Sequence, residues 1–298
     1  MTMAGIRAFS SISINRFRDL KQLKYLLRSI EENGKDWARR IFLVTNNQVP
    51  NYVNINHPRI RIVSHQQLFE YAKVKPPKYQ LFNSITIQSM IHTIPTLSSP
   101  FYLFDDDIVI RRSLPTTVIM SENKSVIYLN ADKYLMRARP QSLYDAHLQS
   151  AIDMVLKSNR LVPLLGANGR YSIGSHGPLL LYREIGMKIW DEFGPEMNLL
   201  ISHPFRMPTD PSIQTLYIYM GYSNYYTFAT NRNMLRFEML SSYNPIVTRR
   251  TLQKAFEDKS IYFVCINDNL PHFDEKQQTH VNEVYETVFP KRSSFDNN

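Results

Sequence analysis

The sequence predicts an α/β fold with a mainly parallel central sheet and a helical insertion. Apolar residues recur at spacings of three and four over residues 20–33, which is typical of an amphipathic helix. An apolar run over 40–45 that ends in a turn predicts one strand, and the alternating pattern over 59–63 predicts a second. Because strands and helices alternate along this part of the chain, we expect neighbouring strands to be parallel.

Each element of this first part has its own signal. Asp19 stands where the N-cap of the helix over 20–33 belongs, since its carboxylate can accept hydrogen bonds from free backbone N–H groups. The strand over 40–45 ends at a pair of asparagines, which favour turns. A further helix is predicted over 83–94, and an apolar strand over 100–104 follows it.

The rest of the chain completes the predicted sheet from the other end. Residues of about 140–225 are mostly helical in pattern, with glycine and proline breaks and a helix rich in tyrosine and isoleucine over 212–221. The apolar run over 260–266 predicts another strand. We therefore expect a single domain over 1–290 with the helical segment inserted in it, followed by a loose tail over 291–298.

The composition is that of a basic globular protein of 298 residues with a net charge of +9. This charge favours acidic partners, such as a phosphorylated substrate. The lysines and arginines are scattered and no basic, aromatic-interleaved motif occurs, so we expect no nucleic-acid partner. No apolar run reaches the roughly 18–20 residues of a membrane-spanning helix, so no span is expected. Cys265 is the only cysteine, so we expect neither an intramolecular disulfide nor a cysteine-based zinc site.

Two polar triplets follow apolar strands. Asp105–Asp107 follows the strand over 100–104, and adjacent carboxylates repel one another unless a cation or water offsets their charge. Asn267–Asn269 follows the strand over 260–266. Each triplet alone is also compatible with an ordinary solvated turn. The carboxyl edge of a parallel sheet is where α/β proteins bind ligands, so two such turns at one edge favour a joint metal site.

Two further segments carry groups suited to phosphate chemistry. His176 lies among small residues, where an imidazole is accessible enough to act as a base or nucleophile. Arg206 lies four residues before Asp210, and its guanidinium could clamp a phosphate. A loop histidine without a role and a surface ion pair explain these residues equally well. The sequence has no P-loop and no glycine-rich dinucleotide motif.

Taken in order, these segments resemble a known family. The most specific similarity is carried by Asn15-Arg-Phe-Arg-Asp19, Leu27-Arg-Ser-Ile30, Ile41-Phe-Leu-Val-Thr-Asn46, Gln48-Val-Pro50, Val63-Ser-His65, Phe82-Asn-Ser84 and Asp105-Asp-Asp107. A looser match covers 172–222, and Phe263-Val-Cys-Ile-Asn-Asp-Asn269 is close to the last block of that family. The chain thereby resembles the Stealth family, which includes bacterial capsule-polymer phosphotransferases and the α/β subunit of N-acetylglucosamine-1-phosphotransferase.

The resemblance implies a sheet of the nucleotide-sugar-transferase type and a reaction. N-acetylglucosamine-1-phosphate or a similar hexose-1-phosphate would pass from a nucleotide-sugar donor, with UDP-N-acetylglucosamine expected first, to a hydroxyl of a glycan or polysaccharide acceptor. The catalytic residues that it implies are His176, Arg206 and Asp268; the substrate-binding residues are Asn83, Ser84, Asp210, Asn267 and Asn269; and the metal ligands are Asp106 and Asp107. The implied metal is Mg²⁺ or Mn²⁺. The compartment would be the Golgi lumen for a eukaryotic member and the cytoplasm for a bacterial one.

The chain departs from the family pattern at three places. The first block of the family, a strand followed by a turn with an active-site aspartate, has no counterpart in residues 1–14. Gln22 and Gln88 stand where the family usually has acidic residues, and Leu179-Leu180 replaces polar ones. Two alternatives therefore stay open. One is a catalytically inactive or truncated relative that binds glycan or nucleotide-sugar, and the other is a transferase that moves a sugar without its phosphate.

Overall fold

A computed structural model describes residues 18–34, 37–115, 126–129, 131–135, 140–158, 170–174, 176–222, 226–229, 234–241, 244–270 and 275–297. The α-helices of these ranges are α1 (Gln22–Asn33), α2 (His65–Ala72), α3 (Ser84–Met90), α4 (Leu143–Lys157), α5 (Arg183–Glu192), α6 (Gly194–Ile201), α7 (Ile213–Gly221), α8 (Pro245–Glu257) and α9 (Glu275–Val288). A single 3₁₀ turn, Ile91–Thr93, follows α3. In the part of the chain so described, no helix has the length and apolar character needed to cross a membrane.

The strands of the same ranges are short. They are β1 (Ile41–Thr45), β2 (Ile60–Ser64), β3 (Phe101–Leu103), β4 (Ile108–Ile110), β5 (Val126–Leu129), β6 (Ala131–Leu135), β7 (Arg170–Gly174), β8 (Leu179–Leu181), β9 (Tyr226–Ala229), β10 (Leu235–Leu240) and β11 (Phe263–Asp268).

The strands pair in both directions, so the expectation of a mainly parallel sheet was wrong. The pairs β1–β2, β5–β9 and β10–β11 are parallel, whereas β3–β8, β4–β11 and β6–β7 are antiparallel. Local sequence patterns determine where a strand forms, but the direction of a partner far away in the chain depends on tertiary packing. The fold is mixed α/β, and its kinship with nucleotide-sugar transferases stays a prediction.

Helix α1 confirms the helix predicted over 20–33 but not its cap. The N-cap residue is Lys21, whose backbone is left-handed with a φ of 59°. The Lys21 N–H donates to the Asp19 carboxylate at 2.7 Å, so Asp19 forms a turn ahead of the helix. The Ser29 hydroxyl oxygen accepts a hydrogen bond from the Ile110 N–H at 3.0 Å, which fastens α1 to β4.

The other predicted elements of the two chain ends form close to their expected places, with one difference that matters for the site. Strand β11 continues through Asn267 and Asp268, because its parallel pairing with β10 sets Met239 opposite Asn267 and Leu240 opposite Asp268. These two polar residues are therefore strand residues. The sequence had placed them in a turn after the strand.

The described residues of the segment over 140–225 form four helices, α4 to α7, together with strands β7 and β8. Helix α7 is the most deeply buried of the four, with Leu216, Ile218 and Met220 inside the main hydrophobic core. It packs against both α4 and α5. The segment thus contributes to the common core, and its description as an insertion in a single domain over 1–290 stays a prediction.

Residues 291–297 are anchored, which differs from the expectation of a loose tail. Asp296 pairs with the Arg28 guanidinium at 2.7 Å, and the Asn54 N–H donates to the Phe295 carbonyl at 2.8 Å. The Phe295 side chain is fully buried in a second, smaller hydrophobic cluster beneath β1 and β2. Burial of this aromatic ring gives the end of the chain its fixed position.

Helix α5 packs so closely on α7 and the 3₁₀ turn that Gly186 has no room for a side chain. An added Cβ would lie 2.2 Å from the Tyr217 hydroxyl and 2.5 Å from Cγ of His92, whereas at Gly194 nothing lies within 4 Å. We expect Gly186→Ala to destabilise the fold by about 1–3 kcal/mol through overpacking.

The matched control is Gly194→Ala, whose effect should stay within about 0.5 kcal/mol. Urea unfolding followed by circular dichroism measures both free energies. Equal stability of the two variants would show that the α5–α7 contact is looser than described.

Candidate active site

The candidate site is built on the junction of β4 and β11. These strands are antiparallel, with Cys265 opposite Ile108, so the start of β4 meets the end of β11. The Ile266 N–H donates to the Asp107 carbonyl at 3.0 Å and extends the pairing by one residue. This pairing holds the acidic triplet against the last residues of β11.

His176 reaches the same junction from the turn between β7 and β8. Its Nδ1 lies 3.5 Å from Sγ of Cys265, and its ring lies 5.2 Å from that of Phe237, centroid to centroid. One ligand atom each from Asp107, His176 and Cys265 lie within 4.8 Å of one another. The structure therefore brings the predicted catalytic histidine to one of the two predicted metal ligands.

The Asp107 carboxyl group is electrostatically strained. Burial raises the pKa of Asp107 to about 7, and the neighbouring carboxylates of Asp105 and Asp106 add to this effect. Burial, with the charge of Asp107 next, raises the pKa of the Cys265 thiol well above its ordinary value. Within the described part of the chain, Oδ1 of Asp107 is buried without a hydrogen-bond partner. A proton or a cation at this carboxylate would relieve the strain.

A cleft of about 1330 Å³ runs beside the acidic triplet, along the whole of β1 and β3. Its apolar lining includes residues of β1, β3 and α1. Its polar lining near the acidic triplet consists of Arg18, Asp19, Asn46, Tyr52, His65, Ser84, Gln88, Asp105 and Asp106. Asp105 and Asp106 thus face the cleft, while Asp107 contacts the Cys265–His176 side. Oxygen donors of this kind suit Mg²⁺ or Mn²⁺, so the triplet fits the predicted metal.

A second cluster joins the start of α3 to the loop after α6. The Asn83 side chain caps α3 by accepting from the Ile85 N–H, and it donates to Asp210 at 2.8 Å. Asp210, which is 1% exposed, also accepts from Nδ1 of His203 at 2.6 Å and from the Met207 N–H at 2.7 Å. Burial raises the pKa of Asp210. These bonds indicate that Asn83 and Asp210 position the loop.

Arg206 is carried by that loop and donates to the Ser84 hydroxyl. Because Ser84 lines the cleft, the guanidinium of Arg206 lies next to the cleft rather than far from it. Of the predicted residues in this second cluster, Ser84 lines the cleft and Arg206 is hydrogen-bonded to it.

Asp268 is not brought to the Asp107–His176 pair. It forms an ion pair with Arg18 at 3.3 Å and accepts from the Leu270 N–H at 2.9 Å. Successive side chains of a strand point to opposite faces, so Asp268 lies across the strand from Cys265, and Asn267 lies on the same face as Cys265. The Asn269 N–H donates to the Leu240 carbonyl at 2.9 Å, beyond the end of β11.

The two glutamines that replace acidic residues of the family pattern have different positions. Gln22 is buried, and its amide donates to the Ile266 carbonyl of β11 at 2.7 Å. Gln88 lines the cleft, and its amide donates to Asp105 at 3.5 Å. An amide removes one negative charge from the neighbourhood of the acidic triplet.

Sequence reasoning missed two residues of the site. Cys265 was considered only as a cysteine without a disulfide partner. Because it lies two residues before Asn267 in a strand, the two side chains are on the same face, and this spacing could have indicated its place in the site. Arg18 lies in a matching segment, but nothing in its local sequence indicates its ion pair with Asp268.

Residues 16–128 match the model of Stealth protein conserved region 2, and residues 257–297 match that of conserved region 4. The chain belongs to the Stealth family. The two matched regions contain the acidic triplet and β11, which are the two halves of the junction described above. Residues 1–14, in which the sequence lacks the first block, lie outside the described residues.

Relatives of this Stealth protein carry phosphotransferase names. An exopolysaccharide phosphotransferase of Streptomyces coelicolor is 30% identical over 96% of this chain and 47% of its own length. A capsular polysaccharide phosphotransferase of Haemophilus influenzae is 26% identical over 89% of this chain and 71% of its own length. The human N-acetylglucosamine-1-phosphotransferase subunits alpha/beta are 43% identical over 98 residues, or 33% of this chain and 7% of their own length.

The chain spans about half the length of several of these relatives, with 47% and 45% of two Streptomyces coelicolor proteins covered. Their whole-protein activities are therefore not transferred to it by similarity alone.

The contacts of Asp210 lead to a stability prediction. We expect Asp210→Ala to cost about 2–4 kcal/mol, because it removes a buried acceptor from Asn83, His203 and the Met207 N–H. Thermal unfolding measures the loss.

The control is Asp191→Ala on the exposed side of α5, which should change stability by less than about 0.5 kcal/mol. If Asp210→Ala were as stable as that control while nucleotide-sugar binding was lost, Asp210 would have to be a ligand-binding residue instead.

Proposed function

We propose that this Stealth protein transfers a sugar-1-phosphate from a nucleotide diphosphate-sugar to a hydroxyl of a glycan, which creates a phosphodiester. The observation that carries the proposal is the proximity of His176 to Asp107, which directly follows the two carboxylates that line the cleft, Asp105 and Asp106. The phosphotransferase names of the relatives support the reaction class. UDP-N-acetylglucosamine is the donor that we propose to test first, and a polysaccharide is the proposed acceptor.

His176 is the group suited to move the proton. The acceptor hydroxyl gives its proton to the imidazole while its oxygen forms a bond to the β-phosphorus of the donor. The bond between that phosphorus and the bridging oxygen breaks, and UMP leaves with the bonding electrons. The product carries the sugar and its phosphate together. The Phe237 ring beside the imidazole restricts its orientation.

Acidic and basic residues at the cleft would compensate the charges of the metal and the donor diphosphate. Asp105 and Asp106 would hold a divalent metal, which when bound offsets the charge of the diphosphate. Arg206, beside Ser84, faces the developing negative charge on the transferred phosphoryl group. Asp268 acts indirectly, since its ion pair fixes Arg18 in the cleft wall.

One observation favours the second candidate, a relative that binds nucleotide-sugar or glycan without transfer. Gln88 occupies the cleft beside Asp105, where an acidic residue stands in the family pattern. If that acidic residue takes part in the reaction, its amide replacement would leave binding intact and abolish turnover.

A doubly labelled donor distinguishes the candidates. UDP-N-acetylglucosamine is labelled with ³²P at the β-phosphorus and with ³H in the sugar, and it is incubated with the protein, Mg²⁺ or Mn²⁺ and oligomers of a capsular polysaccharide. We expect both labels in the oligomer and unlabelled UMP in solution. His176→Ala should lower the rate by about 10²–10⁴-fold, the usual contribution of a positioned acid or base.

The control variant is His280→Ala on α9, whose partner is Glu283 at 3.3 Å, and it should transfer at the wild-type rate. Tritium in the oligomer with ³²P left in UDP would mean sugar transfer without phosphate. Donor binding without either label in the oligomer would favour the inactive relative.

A further inference from the structure

We propose that Asp107, His176 and Cys265 form a binding site for a transition metal of the Zn²⁺ class, and that this metal inhibits the protein by engaging His176. The site differs in ligand chemistry from the oxygen donors of Asp105 and Asp106 in the cleft. The inhibitory half of the proposal rests on the proposed function, whereas the binding half does not.

The observed separation of the sulfur and nitrogen atoms fits tetrahedral zinc. With a Zn–S bond of about 2.3 Å and a Zn–N bond of about 2.0–2.1 Å, tetrahedral ligands lie roughly 3.6 Å apart. Sγ of Cys265 and Nδ1 of His176 are 3.5 Å apart. The carboxylate oxygen of Asp107 lies within 4.8 Å of both atoms, and a small rotation of this side chain completes the third position.

The ligand types select the metal. A thiolate and an imidazole favour Zn²⁺, Co²⁺ or Cu²⁺, whereas Mg²⁺ and Mn²⁺ favour carboxylates, carbonyls and water. Three protein ligands leave a fourth position open to water, as in zinc sites that are not closed. The single cysteine was expected to exclude a cysteine-based zinc site, but a mixed set of Asp107, His176 and Cys265 needs only one cysteine.

Among the described residues, one oxygen of the Asp107 carboxylate lacks a partner, which is an independent indication of a ligand. In the described part of the chain, Oδ1 of Asp107 is buried and accepts no hydrogen bond. An orphaned acceptor beside a histidine and a thiol is costly, and a bound cation would satisfy it.

The surrounding structure holds the three ligands in place. Asp107 and Cys265 lie on either side of the β4–β11 pairing, which sets their separation. The residue after the histidine, Gly177, packs so closely that an added Cβ would lie 3.2 Å from the Leu235 side chain. The histidine turn is therefore pressed against β10, and the ligands are partly preorganised.

The test uses Co²⁺ as a spectroscopic substitute for Zn²⁺. The full chain, kept reduced, is titrated with Co²⁺ and its near-ultraviolet absorption is recorded. We expect a thiolate-to-cobalt charge-transfer band that saturates at one metal per chain and is bleached by Zn²⁺. Cys265→Ser should abolish the band, and His176→Asn should weaken Co²⁺ binding by at least about 10–100-fold.

Circular dichroism and thermal unfolding of both variants show whether each is folded, and only a folded variant is compared. A folded wild-type protein without the band would overturn the proposal. A band that persisted in Cys265→Ser would do the same, because no other thiol exists in the chain.

Inhibition is measured as the ratio of transfer rates with and without Zn²⁺, at constant Mg²⁺, within each variant. We expect Zn²⁺ to lower the wild-type rate at least about tenfold and the Cys265→Ser rate less than twofold. If Co²⁺ binds but Zn²⁺ leaves the transfer rate unchanged, the inhibitory half of the proposal is wrong. If Co²⁺ binds but the protein has no transfer activity, that result contradicts the proposed function. The metal site would still be supported by the cobalt absorption band.

Discussion

The antiparallel pairing of β4 with β11 is the contact on which the site depends. It joins residues that are far apart in the sequence and places the start of one strand against the end of the other. Asp107 directly precedes β4, Cys265 lies in β11, and His176 reaches them from the turn before β8. Without this pairing, the acidic triplet would be a set of like charges with no histidine near it.

At this junction, carboxylate groups lie in surroundings that disfavour their negatively charged form. Asp105 and Asp106 line the cleft, and burial together with the charges of these two carboxylates raises the pKa of the adjacent Asp107 to about 7. Cations lie close by: Arg18 pairs with Asp268, and Arg206 lies beside the cleft-lining Ser84. Such an arrangement is suited to a metal-bound phosphate ligand. The metal would offset the charge of the carboxylates, and the arginines would offset the charge of the phosphate groups.

The sequence was informative where the signal is local. The amphipathic pattern over 20–33, the apolar run of β1 and the aromatic-rich helix α7 all formed as predicted, because long periodic or wholly apolar segments leave few alternatives. The histidine and the acidic triplet were also recognised before their proximity was known. Each alone was also compatible with an ordinary turn or loop, and the resemblance to the family gave them their predicted roles.

Non-local features were beyond the sequence. The direction of β4 relative to β11 depends on how distant segments pack, so the prediction of a mainly parallel sheet was wrong. Asp268 was expected among the catalytic residues, but its place in β11 turns it to the face opposite Cys265, where it pairs with Arg18. Likewise, Phe295 looked like part of a loose tail, although it fills a small core that the sequence does not reveal.

The most direct test of the central claim is a calorimetric titration of the protein with UDP-N-acetylglucosamine, with and without Mg²⁺ or Mn²⁺. The account predicts binding that requires the metal and that weakens at least about tenfold, or roughly 1.4 kcal/mol, in Asp106→Asn. Asp258→Asn, in a fully exposed turn, should bind like the wild type. Binding of equal strength in Asp106→Asn, or without any metal, would contradict a metal-assisted nucleotide-sugar site at the acidic triplet.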